Sequence, residues 1–273
     1  MKTPWLPYAS FNIWSQFVPA IGQEHYHCDM KRGFARAQKK EPLVKALLEQ
    51  DTIIQHIGLL AQMAVYEFHQ DIQLLQHSDG VEKIAENLKL SQEPIEVQQR
   101  LIAIIKNYHK NPILLGKNIV KLSRGDEGFP EPIQIKHGNY WFNLFAAIDS
   151  IFIESDGKLH ILDFKTGKSD FDRRQAFVYL LAATYLYPGK KAVASFYNLE
   201  SSKWSEPITA TNAQLNAIQN ELARIAQRHQ AELSRYKKNL GDFAQIFPAN
   251  PGFNCRYCQF SSICKFSLSE VPA

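Results

Sequence analysis

Residues 140–165 read YWFNLFAAIDSIFIESDGKLHILDFK, and this stretch decides the fold. Residues 140–154 and 159–164 are rich in aromatic and β-branched types, the composition of strands. Asp156-Gly157 lies between them and signals a hairpin. Asp149 interrupts an otherwise apolar strand, where a carboxylate is costly to desolvate unless it is paired or binds a metal. Asp163 and Lys165 are two apart in the second strand and so share a face. Two carboxylates and a lysine converging on one sheet face suit divalent-metal catalysis, with hard oxygens for Mg²⁺ or Mn²⁺. The plainer alternative puts both aspartates at strand ends, with Lys165 pairing one of them.

The turn length separates two registers. A two-residue Asp156-Gly157 loop pairs Ser155 with Lys158, so paired numbers sum to 313 and the aspartates face opposite ways. A three-residue loop, Ser155-Asp156-Gly157, gives a sum of 312 and sets Asp149 opposite Asp163. It also places Gly157 where a type I turn with a G1 bulge needs positive φ, and sets Glu154 across from Lys158. A metal site requires the 312 register.

The flanks supply further pattern. Ile53, Ile57, Leu60, Ala64 and Phe68 mark one face of a helix, and a second helical stretch runs over 93–108. Residues 171–187 return to helix, 192–199 read as a strand, and 212–238 form a long charged helix. Gln175 and Tyr179 share a helix face. Gly167-Lys168-Ser169 is not the end of a P-loop, because the glycine required at 162 is a leucine.

Asp149, then Asp163-Phe164-Lys165 extended as DFKTGK, then Gln175-Ala-Phe-Val-Tyr179, resembles the RecB-like branch of the PD-(D/E)XK nucleases. The likeness covers residues 131–200. It implies an α/β fold: a restriction-endonuclease-like core sheet flanked by helices, with an N-terminal helical region and a C-terminal cysteine loop. As a single domain it would comprise a mainly helical part over 1–130, the catalytic core over 131–200, and a long helix with the cysteine loop over 201–273. It implies that Asp149 and Asp163 bind metal, joined by the Phe164 carbonyl. Lys165 assists the attacking water, and Gln175 with Tyr179 guides the DNA strand.

One position departs from the family. RecB-like nucleases usually place a histidine ligand on an N-terminal helix as G-x-x-x-H, and here Gly58-Leu-Leu-Ala-Gln62 ends in glutamine. A glutamine carbonyl can ligate Mg²⁺ but is a weaker ligand than imidazole for Mn²⁺. Glu67 and His69 fit the position less well. Glu131 falls near an acidic position often seen before the first carboxylate strand, and a surface role suits it equally.

Four cysteines divide as Cys28 near the N-terminus and Cys255, Cys258 and Cys264 near the C-terminus. Three thiolates so close repel one another without a cation. The one-plus-three split resembles the 4Fe–4S staple of CRISPR-associated RecB-like nucleases and the AddB subunit. Zinc, with His25 or His27 as a further ligand, is the alternative.

The whole chain agrees with an enzyme of nucleic acid. It has 273 residues, a net charge of +4, 45% hydrophobic and 21% charged residues, which excludes global disorder. No run is long and apolar enough to span a membrane, and MKTPWLPYAS lacks the apolar stretch of a signal peptide, so the expected location is cytoplasmic. Arg100, Lys106, Lys110, Lys117, Lys121 and Arg124 form an acid-free basic run. Lys31, Arg32, Arg36, Lys39 and Lys40 form another, with Phe34 among them, and both suit phosphate contact. The expected function is metal-dependent DNA cleavage, exonucleolytic on single-stranded ends, with protein partners in repair or CRISPR adaptation. The alternative is a weakly active or inactive nuclease-like DNA-binding subunit, kept open by Gln62. The helical insert over 75–125 has no assigned role.

Overall fold

The computed structural model describes residues 6–50, 52–167 and 171–267. In chain order the helices and strands are β1 (Tyr8–Ser10), α1 (Phe11–Phe17), α2 (Asp29–Ala37), α3 (Pro42–Leu48), α4 (Ile53–Gln70), α5 (Gly80–Asn87), α6 (Ile95–Lys110), β2 (Asn118–Leu122), β3 (Ile133–His137), β4 (Tyr140–Phe145), β5 (Ser150–Ile153), β6 (Leu159–Lys165), α7 (Arg173–Leu186), β7 (Ala192–Asn198), β8 (Lys203–Trp204), α8 (Asn212–Lys237) and α9 (Phe243–Ile246). The chain divides into two compact units.

One unit comprises residues 52–131 and 146–216. Its five-stranded sheet has the order β2-β5-β6-β7-β8. The residues of β6, LHILDF, are buried because the strand lies between antiparallel β5 and parallel β7. The β6-to-β7 connection runs through α7, as parallel neighbours require a crossover. The alternation of β6 sends Leu162 and Phe164 to one face, where they join Phe152, Tyr197 and Leu199 in a core with α4, α5 and α6. Helix α4 begins at a capping box, in which Thr52 accepts from the Gln55 amide and the Gln55 side chain returns to the Thr52 amide. Its buried stripe is Ile57, Leu60, Ala61, Ala64, Val65 and Phe68. Truncating one of these large side chains to alanine costs about 2–5 kcal/mol. The stretch 75–125 therefore supplies two helices of this core and an edge strand.

The hairpin has the 312 register. Ser150 pairs with Leu162, Ile151 with Ile161, Phe152 with His160 and Ile153 with Leu159. The Glu154 amide donates to the Lys158 carbonyl at 2.9 Å, and Gly157 sits at φ +81°. That conformation costs a residue with a Cβ about 1–2 kcal/mol and glycine nothing.

The other unit comprises residues 1–51, 132–145 and 217–273. A three-stranded sheet, β1-β4-β3, carries β1 parallel to β4. Helix α2 and the C-terminal segment share a small core of Met30, Phe34, Val44 and Phe260.

Two expectations need correction. Residues 140–154 are not one strand: β4 pairs with β3 and β1, whereas β5 pairs with β2 and β6, so the ladders belong to different sheets. The break falls at Ala146-Ala147, weak strand formers. The mainly helical part before residue 131 also carries β1 and the edge strand β2. In the Lys31–Lys40 stretch Lys31, Lys39 and Lys40 are exposed, but Arg32 and Phe34 are not part of an open face. Arg32 is 1% exposed and Phe34 is buried. Arg32 bonds Asp29 and Glu232, each at 2.7 Å, and lies 3.9 Å over the Phe17 ring, so its charge is spent inside the unit.

Candidate active site

Asp149 immediately precedes β5, and the hairpin register carried one pair further places it opposite Asp163 of β6. Its Oδ2 accepts from the Phe164 amide at 2.8 Å. Burial and the neighbouring Asp163 charge push the Asp149 carboxyl up to about 8, against the lowering effect of that hydrogen bond and of Lys165 and Lys121.

Asp163 is 3% exposed. Its Oδ1 accepts from the Tyr179 hydroxyl at 2.6 Å and from Gln175 Nε2 at 3.1 Å. Its Oδ2 is buried without a hydrogen bond and abuts the Lys165 ammonium as an ion pair. Lys165 Nζ also donates to Gln175 Oε1 at 3.0 Å. Gln175 and Tyr179, one turn apart on α7, thus brace the carboxylate and the lysine together. Burial first, then the charges of Asp163 and Asp149, holds the Tyr179 hydroxyl well above its ordinary range, so it stays a donor.

Gln62 stands near this group without touching either aspartate among the contacts described. Its Nε2 donates to the Ser123 carbonyl at 3.2 Å, and the Ser123 amide donates to the Asp149 carbonyl at 2.7 Å. Gly58, one turn earlier, lies beside Thr166, the residue after Lys165. Glu67 instead pairs with Arg124, and His69 bonds the Tyr108 hydroxyl at 2.6 Å. Glu131 is exposed. Phe164 packs its ring on the helical face and spends its amide on Asp149. Lys168, part of the DFKTGK motif, lies outside the described residues.

Sequence reasoning missed the residues that hold the turn after Lys165. Glu200 Oε1 accepts from the Gly167 amide at 3.0 Å and from Arg100 Nη2 at 2.6 Å. Asn198 Nδ2 donates to the Gly167 carbonyl at 2.8 Å, and Asn107 Nδ2 to the Glu200 carbonyl at 2.9 Å. Arg100 and Asn107 belong to α6, so the helical insert supports the turn after Lys165. No local sequence signal joins them, because the partners lie about a hundred residues apart. The rest of the basic run divides: Lys117 pairs with Glu154 and Arg124 with Glu67 and Asp126, while Lys106, Lys110 and Lys121 are exposed.

The residues fit a hard divalent cation. Burial, then the repulsion between two carboxylates on adjacent strands, raises Asp149, and a cation between them relieves that repulsion. Among the described residues no three His, Cys, Asp or Glu side chains are already gathered to hold a metal ion.

The cysteines all lie in the other unit. Cys28 caps α2, and Cys28, Cys258 and Cys264 pack against the same Met30–Phe260 core. Cys264 Sγ lies 3.6 Å from Met30 Sδ. Burial pushes the Cys258 thiol up, and Cys28 and Cys264 add to this while Lys31 opposes it. All four thiols are free. Asn250 and Asn254 bond the His27 and His25 carbonyls at 2.8 and 2.7 Å, tying the two ends of the chain together. Cys255 is half-buried and stands outside that core, so three of the four thiols gather there.

A carboxylate at a strand start, a second on the central strand, a lysine two residues on and a bracing Gln–Tyr helix define a PD-(D/E)XK arrangement. The chain belongs to the PD-(D/E)XK nuclease superfamily, whose model matches residues 26–265. Among solved structures it is similar to a "Putative exonuclease" from Eubacterium rectale, at 11% identity and a TM-score of 0.48, over 86% of this chain and 83% of that one. It is also similar to a protein described as SSO0001, at 15% identity and a TM-score of 0.29, over 84% of this chain and 94% of that one. No curated protein matches the sequence significantly.

Proposed function

We propose that this protein is a metal-dependent deoxyribonuclease of the RecB-like branch, an exonuclease acting on single-stranded DNA ends. The observation that carries the reading is the juxtaposition of Asp149, Asp163 and Lys165 on one sheet face, produced by the 312 register. Asp149 and Asp163 would hold Mg²⁺ or Mn²⁺, with the Phe164 carbonyl and Gln62 as further donors. Bound there, the ion supplies polarisation of a phosphoryl oxygen and acidification of a water.

The chain's own groups account for the rest. Gln175 and Tyr179 fix the Asp163 carboxylate through Oδ1, and its Oδ2 faces Lys165, so a bound cation would have to share that oxygen with the ammonium or displace it. Lys165, aligned by Gln175, orients the attacking water or offsets charge growing on the phosphate. The exposed Lys121 beside the site adds attraction for the strand. Cys28, Cys255, Cys258 and Cys264 would hold a 4Fe–4S cluster that staples the chain ends, with zinc as the competing occupant. The protein's work on DNA would be cytoplasmic, alongside repair or CRISPR-adaptation partners; no described helix is long and apolar enough to cross a membrane.

A second reading, a weakly active or inactive DNA-binding subunit, is favoured by one observation: Gln62 stands where the family usually has histidine, and its Nε2 donates to the Ser123 carbonyl, leaving only an amide oxygen to offer a metal. Incubation with Mn²⁺ and single strands labelled at the 5′ or the 3′ end distinguishes the two. Stepwise shortening that Asp163→Ala abolishes, by about a hundredfold or more, supports the nuclease. Strand binding without cleavage supports the second reading.

A further inference from the structure

The loop after β2 is folded around a carboxylate. Glu127 Oε1 accepts from the Arg124 amide, and Oε2 accepts from the Gly125 amide at 2.7 Å and the Ser123 hydroxyl at 2.8 Å. Gly125 sits at φ +98°, a conformation that aims two successive amides at one point and disfavours any side chain. A Cβ there would also stand 3.0 Å from Gln62. Consecutive amides converging in this way form an anion-binding nest.

The nest is attached to the candidate active site. Its first residue, Ser123, donates its amide to the Asp149 carbonyl at 2.7 Å and accepts from Gln62 on its own carbonyl. Lys121, two residues before Ser123, is exposed, while the Arg124 guanidinium is paired with Glu67 and Asp126. Glu127 itself is exposed, so no buried group forces it into this position. Although burial works the other way, the Arg124 amide, the Ser123 hydroxyl and the Gly125 amide hold the Glu127 carboxyl at about 2, so the occupant is an anion at any working pH. A phosphodiester presents the same pair of acceptor oxygens on the same scale.

We propose that the Ser123–Gly125 nest is a phosphate subsite for the DNA strand next to the cleaved bond, and that Glu127 fills it as an internal competitor until a strand displaces it. This inference rests on the nuclease reading. It assigns Ser123, Arg124 and Gly125 to strand binding and Glu127 to restraint of that binding, and it leaves the chemistry to the aspartates and Lys165.

The test is equilibrium binding of a labelled oligothymidine to the full chain in EDTA, so that no strand is cut, across a range of salt. Glu127→Gln removes the competitor's charge. It is expected to bind several-fold tighter, with a logarithmic salt slope steeper by about 0.7, one added phosphate contact on a single strand. Adding Ser123→Ala should cancel that gain, because the phosphate loses a donor. A Glu127→Gln protein that binds no tighter overturns the proposal. So does a gain that survives Ser123→Ala, since it would reflect only a charge removed from the neighbourhood. If Glu127→Gln does not fold, Glu127→Ala, which removes the competitor altogether, should bind the oligothymidine several-fold tighter in the same assay, and no gain overturns the proposal. A wild-type chain that cuts DNA while these variants show no effect leaves the nuclease reading standing. A wild-type chain that neither binds nor cuts DNA removes both.

Discussion

Asp149 takes a hydrogen bond of 2.8 Å from the Phe164 amide, the residue directly after Asp163. A side chain at the start of one strand is thereby fixed to the backbone of the next, and the two carboxylates are held together although their charges oppose it.

That repulsion has a pH signature. The ordinary aspartate value is 3.8, and folding pushes Asp149 up to about 8 through burial and the Asp163 charge. Between these values the folded chain retains a proton that the unfolded chain has lost, so metal-free stability falls as pH rises through that window. A divalent ion needs the carboxylate ionised, so its binding releases the proton and tightens with pH up to about 8. Thermal unfolding in EDTA should therefore drop from about pH 5 to about pH 8, and Asp149→Asn should flatten the profile. The stabilisation gained from added Mg²⁺ should grow over the same interval. A flat metal-free profile in the wild type would contradict this.

Glu200 is expected to act as a positioning residue. Glu200→Ala frees the Gly167 amide and the Arg100 guanidinium, loosening the turn that follows Lys165. Cleavage should slow by about tenfold or more, through kcat with KM little changed, as a small misplacement of a catalytic group entails. Glu200→Gln keeps an acceptor for Gly167 and should recover part of the rate. A purely structural residue would lower the melting temperature without this split or this rescue.

Gln62→His places an imidazole on the helix that passes Ser123 and Thr166. Imidazole is the better donor to a transition metal, so Mn²⁺-dependent cleavage or Mn²⁺ affinity should rise. Calorimetric titration of Mn²⁺ measures this directly. No change in either quantity would put Gln62 beyond the metal's reach.

Anaerobic purification should yield a brown protein absorbing near ~400 nm if the four thiolates hold an iron–sulfur cluster. Cys28→Ala should lose the colour as fully as Cys258→Ala, since both thiols pack on one core. Stoichiometric zinc without iron would assign the site to zinc instead.

What the sequence determined is what short-range geometry controls. The odd-length turn at Ser155-Asp156-Gly157 set the register, because side-chain parity along a strand leaves only one way for Asp149 and Asp163 to share a face. The Gln175–Tyr179 spacing placed both side chains on one face of α7 in the same manner. The α4 stripe followed from its apolar period except at Ile53, the first helical residue, which is exposed. Tertiary structure alone decided the rest. Edge strand β2 alternates too weakly to be read, with every residue exposed or half-buried. Arg32 reads as a surface cation until Asp29, Glu232 and Phe17 enclose it. The clamp on Gly167 joins α6 to the end of β7, and the Ser123 nest reaches Asp149 through the β2–β5 pairing. Such contacts depend on which distant segments the packed core brings together, and no local period or propensity encodes that choice.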